Sequence, residues 1–145
     1  MAKVIIDSSH KYTDVATLGD PGPGGAHHHY VITPKPDLVE KEPLGNVHID
    51  FQTGPIKEAG VNGVMDENLV AIVINRLEGF QSGPYACKEN ADALEAFKMG
   101  LDALRSRTAR RESSGAEGTH KTAPGDASHE ATTGDASTEA GGLDQ

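Results

Sequence analysis

A chain of 145 residues with a formal net charge of −9 has room for one domain with a modest core, and it is too acidic for a general nucleic-acid binder, which needs a broad basic surface. The charge is uneven: Met1 to Arg111 carries 15 acidic residues against 12 basic ones, whereas Glu112 to Gln145 carries 7 acidic residues against Lys121 alone. Cys87 is the single cysteine, so no intrachain disulfide can form, and with no signal-peptide pattern or membrane-length apolar run the expectation is a soluble, intracellular protein that uses neither DNA, RNA nor a membrane as partner.

Lys3 to Ile6 reads as a short strand, and Leu18 to Ala26, rich in glycine and proline, as an irregular loop. His27, His28 and His29 follow. Neighbouring strand residues point to opposite faces, so at most two of these could converge on one ion, and no cysteine or carboxylate stands beside them at a ligand spacing. They are read as the entry to the strand Tyr30-Val31-Ile32, with no metal. Lys35 to Gly45 reads as an exposed connection, and Val47-His48-Ile49-Asp50-Phe51 alternates apolar and polar residues as a half-buried strand does. The two strands should pair antiparallel. Gly54-Pro55, Gly60 and Asn62-Gly63 then punctuate a loop.

Asp66 to Arg111 is the long helical signal. Leu69, Ile72, Val73, Leu77 and Phe80 recur at intervals of three and four, and Val70, Ala71 and Ile74 make the helix apolar on its other side too. Such a helix should be covered by its hairpin partner and also by a sheet or a second subunit. Asp66 is expected as its N-cap. Ser82-Gly83-Pro84 breaks it, and Ala91, Leu94, Phe97, Leu101 and Leu104 form the stripe of a second helix, with Cys87 a packing residue at its start. Arg105, Arg107, Arg110 and Arg111 gather at its end, either offsetting the helix dipole in solvent or forming an anion site. Strands first and a hairpin after them make an α+β fold: a small antiparallel β-sheet (strands within about 27–54) followed by a C-terminal helical hairpin (66–111) that mediates oligomerisation, all within a domain of residues 1–121. Residues 122–145, with Leu143 as their one large aliphatic side chain, read as a disordered acidic tail.

No phosphate loop, dinucleotide fingerprint or zinc cysteine pair is present, so neither a catalytic residue nor a cofactor is expected. The pair Asp92 and Glu95 reads as solvated surface. A binding site is easier to build. Phe80 ends the first helix and Asn90 opens the second, so the turn brings together a ring that can stack on a base and an amide that can pair with a purine edge or ribose hydroxyl. An arginine would meet phosphate, but Arg107 lies 17 residues beyond Asn90 on one helix, about 25 Å away. A shared pocket therefore needs a second, antiparallel subunit, and a symmetric dimer would make two.

Several segments, Phe51-Gln52-Thr53-Gly54-Pro55-Ile56-Lys57-Glu58, Gly60-Val61-Asn62-Gly63-Val64, Phe80 to Asn90, and Arg107-Thr108 with Glu117-Gly118-Thr119, resemble the phage Thoeris anti-defence protein 1 family, and the hairpin resembles that of anti-CBASS protein 2. The resemblance spans roughly Tyr30 to Thr119. It implies a sponge, not an enzyme, acting in the cytoplasm of the infected bacterial host: a homo-oligomer (a dimer, or a hexamer as a trimer of dimers) that sequesters cyclic ADP-ribose isomers such as glycocyclic ADP-ribose without cleaving them, with cyclic di- or trinucleotides as further ligands at separate sites. By motif match it implies Phe80, Asn90 and Arg107 as ligand contacts, and Arg105 and Thr119 beside them. The sequence departs from the family pattern at Ser113-Ser114-Gly115-Ala116 and in its acidic tail. The competing reading is a hydrolase that degrades the same signals, for which the residues offer no base or metal constellation.

Overall fold

The computed structural model describes residues 3–35 and 45–126. Four strands, β1 (Lys3–Asp7), β2 (Thr13–Leu18), β3 (His29–Pro34) and β4 (Val47–Asp50), form an antiparallel meander in the order β1-β2-β3-β4. Three helices follow: α1 (Ile56–Ala59), α2 (Asp66–Gln81) and α3 (Lys88–Ser113). The fold is α+β, a small antiparallel sheet followed by a helical hairpin. β3 and β4 pair as the alternation predicts. β2 is an addition to the sequence reading. Its β-branched residues Thr13, Val15 and Thr17 do alternate, but Asp14 and Ala16 between them are poor strand formers, and the strand is held by its central place, where Ala16 and Thr17 are buried.

Register assigns the faces. Val15 pairs with Ile32, Thr17 with Tyr30, and Tyr30 with Ile49, so these side chains share one side of the sheet. That side looks toward the hairpin.

A polar lock joins the sheet to the hairpin. Gln52 donates from Nε2 to the Gly60 carbonyl at 2.7 Å and accepts the Asn62 N–H at Oε1 at 2.9 Å. The Asn62 side chain in turn accepts from the Thr53 N–H and donates to the Thr53 carbonyl, both at 2.8 Å. Backbone bonds from Gln52 N–H to Val64 and from Val64 N–H to Asp50 complete a parallel bridge. Gly63 is required there, since a Cβ would stand 2.5–2.7 Å from the backbone of Asp50, Phe51 and Gln52. The glycine-rich motifs around 51–64 thus serve to fix strand to helix.

The N-cap of α2 is Met65, and Asp66 is the first helical residue, a shift of one from the expected cap. The Asn68 side chain supplies the bond, accepting the Met65 N–H at 2.8 Å, while Asp66 and Glu67 complement the dipole. The hairpin turn is stapled by Gln81, which accepts the Cys87 N–H at 3.0 Å and donates to the Cys87 carbonyl at 3.1 Å. Cys87 is exposed, so its role is that of an N-cap backbone and not the packing residue expected. Glu78 and Lys98 pair across the hairpin at 3.1 Å.

Burial within one chain is slight. Ile74 and Leu101 are the buried apolar residues of α2 and α3, whereas Phe97, expected in the second stripe, is 40% exposed and Ile72 is 57% exposed. The hairpin partner covers one side of α2, as its apolar wrap predicts. Among the described residues nothing covers the other.

At its C-terminus α3 ends in a Schellman turn: Ala116 N–H bonds to the Arg111 carbonyl at 2.9 Å and Gly115 N–H to the Glu112 carbonyl at 3.1 Å, with Gly115 at φ 72°. This is what Ser113-Ser114-Gly115-Ala116 builds. The chain then folds back, with Gly118 accepting the Lys57 N–H of α1 at 3.2 Å. Residues 122–126, assigned to a disordered tail from sequence, instead dock on the end of α3, where Ala123 is buried. The remainder of that tail and residues 36–44 of the expected connection lie outside the described residues.

Candidate ligand-binding site

Between the apolar side of the sheet and the far end of the hairpin lies an open cleft of about 900 Å³. Tyr30 and Phe51, packed edge to face with centroids 5.6 Å apart, form its aromatic wall with Ile32 and Ile49. The last turns of α3 form the other wall, presenting Arg105, Arg107 and Thr108. A ligand with a flat apolar part and an anionic part would meet both kinds of surface here.

The four arginines at the end of α3 divide into two pairs. Arg111 is buried, at 8% exposure, and its guanidinium donates to Glu117, to Asp126 and to the carbonyls of Ala116, Thr119 and Lys121. Arg110 binds the Pro124 carbonyl and Asp126. Asp126 therefore sits between two guanidinium groups while also accepting the Ala123 N–H at 2.7 Å. The Ala123 amide, then Arg110 and Arg111, hold its carboxyl down from 3.8 to about 2. These two arginines are occupied in closing the chain's own C-terminal segment. Arg105 and Arg107 are exposed and, among the described residues, their side chains join no ion pair or hydrogen bond. Of the four arginines at the end of α3, these two are the ones open to a ligand.

Phe80 and Asn90 lie at the opposite end of the hairpin. Phe80 is 40% exposed, with the Arg76 guanidinium 5.6 Å from its ring centroid, and Asn90 is half-buried with its side-chain amide unengaged among the described residues. Helix α3 runs from Lys88 to Ser113 as one element, so Asn90 and Arg107 stand about 25 Å apart at the helical rise. One chain does not unite them. Thr119 has its hydroxyl engaged locally, donating to the Ala116 carbonyl at 2.6 Å and accepting the Lys121 N–H at 3.1 Å.

Tyr30 and Phe51 were legible as strand residues but not as the wall of a cleft, since a strand's pattern gives a face and not what lies opposite it. His27 also lines the cleft, and its Nδ1 is buried with no hydrogen-bond partner among the described residues. His29 instead pairs across the sheet with Asp50 at 2.9 Å, and among the described residues no group of three His, Cys, Asp or Glu side chains is placed to hold a metal ion.

Residues 44–109, from the approach to β4 through most of α3, match the family model of the Acb2/Tad1 hairpin domain. The hairpin is similar to this family. Among curated relatives, the chain is 49% identical over 73 residues to Thoeris anti-defense 1 of Bacillus phage SBSphiJ7, an alignment that takes in 50% of this chain and 51% of the relative. The chain thus spans about half the length of the curated relative it matches. The matched stretch contains Phe80, Asn90, Arg105 and Arg107, whereas β1, β2 and β3 and the segment after α3 lie beyond the matched residues. Among the described residues no helix is long and apolar enough to cross a membrane.

Proposed function

We propose that this protein is a phage anti-defence sponge that binds a cyclic ADP-ribose isomer, of the glycocyclic kind, in the cytoplasm of the infected host and holds it without cleaving it. The observation that supports this reading is the division of the arginines: among the described residues Arg105 and Arg107 are unpaired, on a cleft walled by Tyr30 and Phe51, while Arg110 and Arg111 are held by Asp126 and Glu117. The hairpin family and the anti-defence name of the 49% identical relative favour the same role. Chemically, the Phe80 ring would stack on adenine, Asn90 would bond a purine edge or ribose hydroxyl, and Arg107 with Arg105 beside it would meet the pyrophosphate. Thr119 would contribute through the segment it braces.

The pocket is composite. Phe80 and Asn90 come from one subunit and Arg107 from an antiparallel partner, so the working form is a homo-oligomer, a dimer or a trimer of dimers, whose interface uses the uncovered apolar side of the hairpin. Cyclic di- or trinucleotides would occupy a site separate from this one.

The deciding experiment incubates the protein with glycocyclic ADP-ribose, removes free ligand and heat-denatures the complex. A sponge releases the ligand unchanged. Release of a cleaved product would establish a hydrolase, and failure to deplete the ligand would remove the function altogether.

A further inference from the structure

Arg76 is the only basic residue of α2, and it stands inside an apolar stripe of that helix. It lies four residues after Ile72, three after Val73 and four before Phe80, so the four side chains share one side. Ile72 is 57% exposed, Val73 37% and Phe80 40%, and Arg76 is exposed with them. A face that only packs would be served by another aliphatic residue here. A cation in its midst points to an anion.

That anion is not found among the described residues. Glu78 is paired with Lys98 of α3 at 3.1 Å, and Asp66 and Glu67 stand at the start of α2, about 14 Å or more away at the helical rise. Among the described residues Arg76 joins no ion pair or hydrogen bond, and its guanidinium rests 5.6 Å from the centroid of the Phe80 ring. An arginine can lie against an aromatic ring and still offer the N–H donors of its fork to a phosphate. The ring keeps a second face for a base. Arg105 and Arg107, by contrast, lie at the opposite end of the hairpin.

We infer, on the footing of the composite pocket proposed above, that Arg76 is a further ligand-binding residue: it meets one phosphate of the ligand's pyrophosphate from the Phe80 side, while Arg107 of the partner subunit meets the other. Closing such a pocket takes the guanidinium out of water, and a desolvated cation needs a counter-charge. A pyrophosphate brings one charge for each arginine. Ring, amide and cation for one nucleotide half then come from Phe80, Asn90 and Arg76 of a single chain.

Titration calorimetry of the full-length protein with glycocyclic ADP-ribose tests this role. Arg76→Met keeps a flexible apolar side chain on the face, so the denaturation midpoint and the light-scattering mass should match wild type. Its affinity should fall about 10- to 100-fold through the loss of a charge-assisted bond. Arg76→Lys, which keeps the charge without the fork, should recover part of that loss. Added salt should weaken wild type more steeply than Arg76→Met, since the variant has one screened contact fewer. Binding by Arg76→Met as tight as wild type, Arg76→Lys no tighter than Arg76→Met, or the same salt dependence in both would each overturn the role of Arg76 and leave the sponge reading standing. Wild-type protein that takes up no glycocyclic ADP-ribose would overturn both.

Discussion

Arg111 turns its guanidinium inward at the point where α3 ends, and five acceptors from the following residues converge on it. Arg111→Ala would take one donor from each of these five acceptors, with Asp126 left to Arg110 and the Ala123 amide, and the expected loss is about 1–3 kcal/mol of stability, read as a lower denaturation midpoint. Arg107→Ala, at a side chain that is exposed and unpaired among the described residues, should leave the midpoint unchanged. Asp126 gives a pH signature. Its carboxyl is depressed from 3.8 to about 2 by the Ala123 amide and the two arginines, so its contribution is complete above pH 3.8 and is lost as the pH falls toward 2. The Ala123 amide shift, followed by NMR, should titrate near pH 2 in the native protein and show no such step in Asp126→Asn.

At the level of elements, the hairpin depends on a short polar staple. Gln81→Ala removes both bonds to Cys87 and should cost about 1–3 kcal/mol, at about 0.5–1.5 kcal/mol for each bond, with faster amide exchange in 82–90 as the accompanying readout. Gly63→Ala should disturb the other end by forcing a methyl group into the β4 backbone, and a loss of sheet signal in circular dichroism would report it. Much of this was legible in the sequence. Periodicity set both long helices, Ser82-Gly83-Pro84 set the turn, alternation gave β4, and the short apolar runs Lys3 to Ile6 and Tyr30 to Ile32 gave β1 and β3. β2 was obscured because Asp14 and Ala16 interrupt its pattern, and its place between two neighbours supplies what propensity does not. The split of the arginines was not legible at all, because the partner that occupies Arg111 is 15 residues away in a stretch whose composition reads as disordered. For the same reason truncation should fall after Asp126; cutting at Thr122 would remove the carboxylate that the two arginines hold.

For the whole molecule, the candidate ligand groups lie at the two ends of one hairpin. Light scattering at micromolar concentration should find no monomer, given a helix face with Ile72 and Phe97 uncovered in the single chain. Phe80→Ala should weaken ligand binding by about 1–3 kcal/mol through the lost stacking surface. Arg107→Ala should do so by about 1.5–3 kcal/mol through the lost charged bond. If subunits exchange, mixing the two variants regenerates one intact pocket in each mixed dimer, and titration calorimetry should recover tight binding at up to about half of that dimer's sites. The long straight α3 that separates Asn90 from Arg107 also makes capture depend on dose. In the composite pocket proposed above a single chain would supply half a site, so the number of working sites would rise with the square of protein concentration until assembly saturates. Dilution below the assembly threshold should then release ligand more steeply than simple dissociation from a fixed site, and on the proposed function the phage would be shielded from the host's signal only once enough chains had accumulated to meet.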